Sequence, residues 1–427
     1  MWSAPLLLTT LLSWSLSVSA TILQNGQPRD DPYPGQASTI DLDSSWRNYD
    51  ADAPEIAYKG RWDSKHISWW SAPGIKLQFS GSKLAISFGE HTSEGTLVAY
   101  RLGRLDWRFS NVTADATYQF VGPGTEYEEL PLDGDNLFEM RGTPHELGHR
   151  ISTPPPSHAR RSPFRTVQIA GASVDVDAEL KKPPQYKKKV EIIGGSLTGG
   201  QYATYETISS WSFIYAQGLG NVEFGITAYP GACLVDLQCY GGGAHGMIWY
   251  WHRASDPGSR ARAMYDHEPE EYDVTAEQPA DLVIIQMGGN DHRHPNEIPG
   301  ENFYQGYIDL IEDIHHHWPD AEIVIMTQWG IWEQEGDEYR QSVIYEEEIQ
   351  RVYEHFKDRK WRFVHLFHTD GILGHNDINP KNHPTDVGHI KIASHMLQWT
   401  NLMLGWELNP RGEMQHGTLY WNNMEQY

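Results

Sequence analysis

From Ile56 to about Val176, apolar and polar positions alternate in short runs. Ile75, Leu77 and Phe79 alternate, Ser80-Gly81-Ser82 turns the chain, and Leu84, Ile86 and Phe88 alternate again. A period of two on either side of a glycine turn predicts a hairpin buried on one face. Further strands are predicted over 97–102, 105–109, 117–121 and 167–176, with no helical period between them. Residues 21 to about 50 read as an irregular leader, turn-rich around Asp30-Asp31-Pro32-Tyr33-Pro34-Gly35. Several short strands separated by turn residues predict an N-terminal β-sandwich.

After Val190 the pattern changes. Short apolar runs at 190–193, 222–226, 282–287, 323–327 and 363–367 read as strands, and longer segments with a 3.6-residue period at 202–215, 302–316, 339–357 and 387–404 read as helices. Strand and helix in alternation predict a parallel sheet covered on both faces, an α/β/α arrangement with its ligand beyond the carboxyl ends of the strands. Lys181-Lys182-Pro183-Pro184 and Lys187-Lys188-Lys189 form a solvated connection between the two textures. The expected division is 1–20, 21–183 for the β-sandwich domain and 184–427 for the α/β domain. Residues 152–165, with Pro154-Pro155-Pro156 and Arg160-Arg161, read as an exposed loop.

Composition narrows the function classes. A net charge of −24 over 427 residues argues against nucleic acid and anionic membrane surfaces as partners. The first 20 residues carry no charge, and an apolar run from Pro5 to Val18 leads to a small-residue site at Val18-Ser19-Ala20. This is the layout of a signal peptide, so a secreted, extracellular protein is expected. No later stretch is apolar and long enough to span a membrane, so no membrane contact is expected after cleavage. Asn111-Val112-Thr113 is a glycosylation sequon. Cys233 and Cys239, the two cysteines, are expected to pair in an oxidising compartment. Seventeen Trp and 22 Tyr are many for this length; such residues serve cores, and a surplus also suits clefts that stack on sugar rings.

The chemistry centres on Val190-Glu191-Ile192-Ile193-Gly194-Gly195-Ser196-Leu197-Thr198-Gly199-Gly200, a buried strand, a glycine turn and a helix start. A serine at such a corner projects its hydroxyl above the sheet edge, beside backbone N–H groups able to receive an oxyanion. Taken alone the loop also fits a simple N-cap serine. It lacks the lysine of a phosphate-binding loop and the spacing of a G-x-S-x-G elbow. Three further stretches lie at strand ends: Ala228-Tyr229-Pro230-Gly231-Ala232, Gly288-Gly289-Asn290-Asp291, and Asn382-His383-Pro384-Thr385-Asp386-Val387-Gly388-His389.

The order Ser196, Gly231, Asn290, His383 resembles that of the SGNH (GDSL-like) hydrolases. Gly194 to Gly200 is similar to their G-D-S-x-T-x-G block, with Gly195 in place of Asp, and Gly288-Gly289-Asn290-Asp291 to their G-x-N-D. Tyr58-Lys59-Gly60-Arg61-Trp62, Trp70, Pro73-Gly74 and Phe79-Ser80-Gly81 resemble the start of carbohydrate esterase family two, which places a jelly roll before an SGNH domain. The resemblance implies removal of acetyl groups from a plant-type polysaccharide or oligosaccharide such as xylan or glucomannan. It also implies a Ser196 nucleophile, a His383 base, and an oxyanion hole from the Ser196 and Gly231 N–H groups and the Asn290 amide. No metal or organic cofactor is implied, and a monomer is expected.

Two positions depart from the family pattern. Pro380 stands three residues before His383, where relatives carry Asp, so a Ser–His dyad oriented by a backbone carbonyl is expected, with Asp377 as the alternative orienter. Gly195 removes a polar brace behind the nucleophile. Both changes also suit a carbohydrate-binding protein that has lost catalysis; the presence of Ser196, Asn290 and His383 favours the enzyme. His292, Trp329 and Trp332 are candidates for the substrate cleft. His294 shares the His292 loop, Gly241-Gly242-Gly243 reads as a flexible segment, and His315-His316-His317 suits the negative end of a helix dipole better than a metal.

Overall fold

The structure is a computed structural model that describes residues 23–24, 27–28, 37–103, 105–128, 134–143, 165–237, 239, 245–255, 269–330, 332–379 and 381–408. The N-terminal apolar run, the triple-proline loop, Gly241-Gly242-Gly243 and Pro380 lie outside the described residues.

The N-terminal half is a sandwich of two antiparallel sheets. One has the order Arg108–Val112, Thr96–Leu102, Asn136–Thr143, Gly74–Phe79, Leu180–Lys181, with Ala57–Lys59 also pairing to Gly74–Phe79. The other runs Ser38–Thr39, Thr117–Val121, Leu84–Phe88, Val167–Asp175, Trp46–Asp50, with Ile67–Ser68 on the Val167–Asp175 strand. Ile75, Leu77 and Phe79 meet Leu84, Ile86 and Phe88 in one core, as period-two alternation requires. Three strands depart from the sequence reading. Trp46–Asp50 is ordered where an irregular leader is expected, and Asn136–Thr143 is a central strand that its charged residues conceal. The strand expected over 105–109 forms instead at Arg108–Val112.

The C-terminal half holds five parallel strands: β1 Lys188–Gly194, β2 Val222–Ala228, β3 Leu282–Gln286, β4 Glu322–Met326 and β5 Val364–Phe367, in the order β2-β1-β3-β4-β5. The helices are α1 Ser196–Gly199, α2 Trp211–Leu219, α3 Met247–Tyr250, α4 Gly289–His292, α5 Gly300–His317, α6 Glu346–Asp358 and α7 Asp386–Leu404. Alternate strand residues serve opposite faces. Ile193, Val283, Ile285, Ile323 and Ile325 pack with α5 and α6, while Ile192, Leu282, Ile284, Val324 and Met326 pack with α2 and α7. The fold is therefore a β-sandwich followed by a three-layer α/β/α unit with a parallel sheet.

Two expected helices differ. The segment 202–215 is not one helix: Tyr202 and Glu206 adopt positive φ, and a 3-10 turn at Glu206–Ser209 precedes α2, which begins only at Trp211. Residues 338–341 form the second strand of a hairpin with Trp332–Glu335, so α6 begins at Glu346, after Tyr345 in the left-handed region. No described helix is long and apolar enough to cross a membrane.

The two halves share a largely apolar interface. Leu97, Ala99, Trp107 and Phe109, on the outer face of the first sheet, join the same core as α2 and β2. Phe109 stacks on Tyr205 at 4.0 Å between ring centroids. Buried charges cross the boundary beside them: Glu139 meets Arg101 at 2.6 Å and Arg141 at 3.1 Å, and Lys76 reaches both Glu139 and Glu223. Burial by itself would raise the Glu139 pKa, but Arg101, Lys76 and Arg141 outweigh it and hold the carboxyl well below its ordinary 4.5. A depressed folded pKa gives stability that is present above the ordinary carboxylate range and lost as pH falls towards the folded value. Replacing Glu139 by Ala takes their carboxylate from Arg101 and Arg141 and leaves Lys76 with Glu223 alone, so we expect a loss of about 3–5 kcal/mol in urea unfolding at pH 7. A loss under about 1 kcal/mol would contradict this assignment.

Candidate active site

The carboxyl end of β1 delivers Ser196. Gly194 is required there because a Cβ would sit 2.0 Å from Thr198 Oγ1. Gly195 is under no such constraint, since a Cβ would find Asn290 Nδ2 at 3.5 Å, an ordinary contact. Ser196 opens the single-turn α1, so its backbone N–H has no partner within the helix. Thr198, behind it, donates to Gln286 Oε1 (2.8 Å), Gln286 donates to Gln328 (2.6 Å), and Gln328 donates to the Met287 carbonyl (2.8 Å). This buried polar chain ties the ends of β1, β3 and β4 together beneath the serine.

His383 comes from the loop before α7. The Asn379 side chain accepts from the backbone N–H groups of Lys381 (2.8 Å) and His383 (3.3 Å), and the Asn379 N–H donates to the His383 carbonyl (2.8 Å). Asn382 completes the tight turn in the left-handed region, which Asn tolerates. The loop places His383 Nε2 2.8 Å from Ser196 Oγ and His383 Nδ1 2.8 Å from the Lys381 carbonyl. A carbonyl only accepts, so Nδ1 carries the proton and Nε2 is bare towards the serine. Burial lowers the His383 pKa and Arg293 adds to the effect, against the opposing pull of the Lys381 carbonyl. The ring is therefore a neutral base at pH 7, and Tyr202 packs edge-on against it at 4.8 Å.

Asp377 does not orient the histidine. Its carboxylate is engaged by Lys391 Nζ at 2.7 Å and by the Gly374 N–H at 2.8 Å, and the Lys381 carbonyl occupies the place on Nδ1 that a carboxylate would take. Asp377 instead braces the loop against α7.

Asn290 lies on α4, directly after β3. Its Nδ2 donates one hydrogen to the Ala232 carbonyl at 2.9 Å, which fixes the amide and leaves the second hydrogen for a ligand. Tyr229-Pro230-Gly231-Ala232 is a hydrogen-bonded turn with Pro second and Gly third, the latter at φ 86°. It is tied to the nucleophile strand by the Tyr229 N–H on the Gly194 carbonyl at 3.0 Å. Ser196, Ala232, Asn290 and His383 line a pocket of about 350 Å³, together with Gln286, Gln328 and Arg293. Gly231 is set one residue behind this wall. An activated hydroxyl, a neutral base and N–H donors around one cleft are the requirements for acyl transfer.

Residues 192–390 match the GDSL-like lipase/acylhydrolase family. The chain carries a GDSL-like hydrolase domain. The fold of the whole chain is also that of known two-part enzymes. It superposes on a family two carbohydrate esterase from Cellvibrio japonicus with a TM-score of 0.63 at 15% identity, covering 85% of this chain and 99% of that one. An acetyl xylan esterase, Est2A, from Butyrivibrio proteoclasticus gives 0.61 at 14% identity, with 85% and 100% coverage. A family two carbohydrate esterase from Clostridium thermocellum in complex with cellohexaose gives 0.57 at 18% identity, with 82% and 100% coverage. No curated protein matches the sequence at a significant level.

Around the GDSL-like site the remaining candidates separate. His292 and Trp329 line the pocket, His292 with its ring edge-on to Tyr345. His294 lies at the rim, 3.3 Å from Glu297. Trp332 lies outside the pocket wall, on the hairpin, edge-on to His375. Cys233 and Cys239 form a disulfide. The bridged segment is held to the site by buried Asp291, which accepts from the Leu234 N–H at 2.8 Å and whose pKa burial pushes up to about 7. Asn111 sits part-exposed on its strand. His389 is fully buried and accepts from the Trp211 N–H at 3.1 Å, so the second histidine of its block fixes α2 to α7. Sequence reading missed Gln286, Gln328, Arg293, Lys381 and Tyr202. A glutamine ending the apolar run 282–286 was a usable signal; the others carry none.

Two outcomes follow for a p-nitrophenyl ester. Asp377→Asn should keep kcat within about tenfold, where an Asp that orients a triad histidine would cost about 10⁴; a drop of the larger size would restore Asp377 as the orienter. The acid limb of kcat/KM should show a pKa below the ordinary 6.5 of histidine, since activity requires neutral His383 and its pKa is lowered. An acid limb above 6.5 would contradict the assigned environment.

Proposed function

We propose that the protein is a secreted serine esterase that removes O-acetyl groups from a plant-type polysaccharide, xylan or glucomannan, through a Ser196–His383 dyad. The observation that carries this reading is the 2.8 Å contact between Ser196 Oγ and His383 Nε2, with Nδ1 held by a backbone carbonyl. In the first step Ser196 Oγ attacks the acetyl carbonyl and His383 takes the hydroxyl proton. The tetrahedral oxyanion accepts hydrogen bonds from the Ser196 N–H and the Asn290 amide, both of which line the pocket, while the expected third donor, the Gly231 N–H, stands behind the pocket wall. Its collapse expels the sugar oxygen, which takes the proton from His383. Water, deprotonated by His383, then attacks the acetyl-enzyme and releases acetate, returning the proton to Ser196.

Support for a carbohydrate comes from the pocket and from the relatives. A pocket of about 350 Å³ is at the small end of ligand sites and suits one acetylated sugar unit against Trp329 and His292. The two-part architecture is shared along nearly the full length of carbohydrate esterases, one named an acetyl xylan esterase and one bound to cellohexaose. Secretion rests on the uncharged apolar N-terminus and is in keeping with the disulfide and with an Asn111 sequon. We expect a monomer that needs no cofactor.

The test is acetate release from acetylated xylan and glucomannan by wild type beside Ser196→Ala. Release by wild type that Ser196→Ala abolishes supports the proposal. Folded wild type that releases acetate no faster than Ser196→Ala on every substrate would overturn it in favour of a carbohydrate-binding protein. Asn290→Ala should lower kcat by about 10²–10³ with a smaller change in KM, and an unchanged kcat would remove Asn290 from the oxyanion site.

A further inference from the structure

On the face away from the pocket, His252 follows α3, while Asp313 and His317 stand one turn apart near the end of α5. His252 Nε2 lies 2.7 Å from one Asp313 oxygen and His317 Nε2 lies 3.5 Å from the other. One ligand atom from each residue falls within 4.8 Å of the others, and among the described residues this is the one such group able to hold a metal ion. All three side chains are partly buried, between 25% and 36% exposed. We propose that His252, Asp313 and His317 form a binding site for a divalent transition ion of the Zn²⁺ type.

The chemistry selects that class of ion. Two imidazole nitrogens and one carboxylate are ligands of Zn²⁺ and its transition-metal neighbours, whereas Ca²⁺ and Mg²⁺ take oxygen. Ligand atoms on a tetrahedral Zn²⁺ sit about 2.0–2.2 Å from the ion and hence roughly 3.4 Å apart. The Asp313–His317 separation of 3.5 Å is close to that value, and His252 Nε2, at 2.7 Å from Asp313, would have to move outward by several tenths of an ångström to match it. The i, i+4 spacing puts Asp313 and His317 on one helix face at its negative end, where a cation is favoured. Asp273, within electrostatic reach of His317, adds a second negative charge. The backbone around His252 is held in place: Trp251 packs edge-on to Trp318 at 5.0 Å and lies beneath the Arg61 guanidinium at 4.8 Å. Three protein ligands leave the fourth position to water. A bound ion would staple the excursion between β2 and β3 to α5, and the site is independent of the esterase reading.

The test is titration calorimetry of the full chain, stripped with EDTA, against ZnCl₂, with CaCl₂ as control. Wild type should bind one more equivalent of Zn²⁺ than His317→Ala or His252→Gln, and its thermal midpoint should rise with Zn²⁺ more than theirs. His383→Ala should retain that equivalent, which separates the site from the catalytic histidine. Co²⁺-loaded wild type should show the intense visible absorption of a four-coordinate ion, which needs no variant to be read. Equal Zn²⁺ stoichiometry in wild type and either folded variant, or Co²⁺ spectra of the hexahydrate alone, would overturn the proposal and leave the three residues as a hydrogen-bonded charge cluster.

Discussion

The backbone carbonyl of Lys381 is the constraint on which the site depends. An imidazole serves as a base towards Ser196 only if its other nitrogen holds the proton, and here an amide oxygen does what a carboxylate does elsewhere. A carbonyl is neutral, so it fixes the tautomer and ring plane without the electrostatic stabilisation that a buried Asp gives to imidazolium. Burial and Arg293 push in the same direction and keep His383 neutral. The positioning burden therefore falls on the loop: Asn379 shapes it, Asn382 turns it, and Asp377 anchors it to Lys391 on α7.

The rest of the fold holds the strand ends that meet this loop. Strand Thr96–Leu102 is buried on both faces, with Val98 and Tyr100 in the sandwich core and Leu97 and Ala99 in the core of the hydrolase domain. Ser71 Oγ donates to the Ala228 carbonyl at the end of β2, and Arg61 donates to Thr227 beside it. The β-sandwich thus packs directly on the strand that carries the Gly231 turn. The sandwich and the catalytic edge behave as one packed body there, so damage to the buried Glu139 cluster is a route to damaging the site from a distance.

Much of this was legible in the sequence, for identifiable reasons. Strands with clean period-two alternation and glycine turns, such as 75–79 and 84–88, appear as read. Asn136–Thr143 escaped because Glu139 and Arg141 alternate with Phe138 and Met140 and look solvated, whereas they are buried and paired with each other on the strand face turned to the second domain. The helix read over 202–215 failed because Tyr205 is apolar for a different reason, its stacking on Phe109 of the sandwich. Within the site, Ser196, Asn290 and His383 were each a weak signal at a strand end, and their order along the chain carried the resemblance that gave them roles. That a backbone carbonyl orients the histidine was expected from Pro380, but which carbonyl was not legible, because any residue has one and nothing in the side chain of Lys381 marks it. Asp377 was a reasonable candidate by proximity, and its commitment to Lys391, 14 positions away, is visible only once α7 is folded.

The proposed function stands on Ser196 as a nucleophile activated by His383. Labelling with a fluorophosphonate, followed by intact mass and peptide mapping, tests it without any assumption about substrate. One adduct per chain is expected, on the Ser196 peptide, forming rapidly in wild type and slowed at least as strongly in His383→Ala as activity is. Folded wild type that takes no adduct, or takes it on another residue, would rule out Ser196 as the nucleophile.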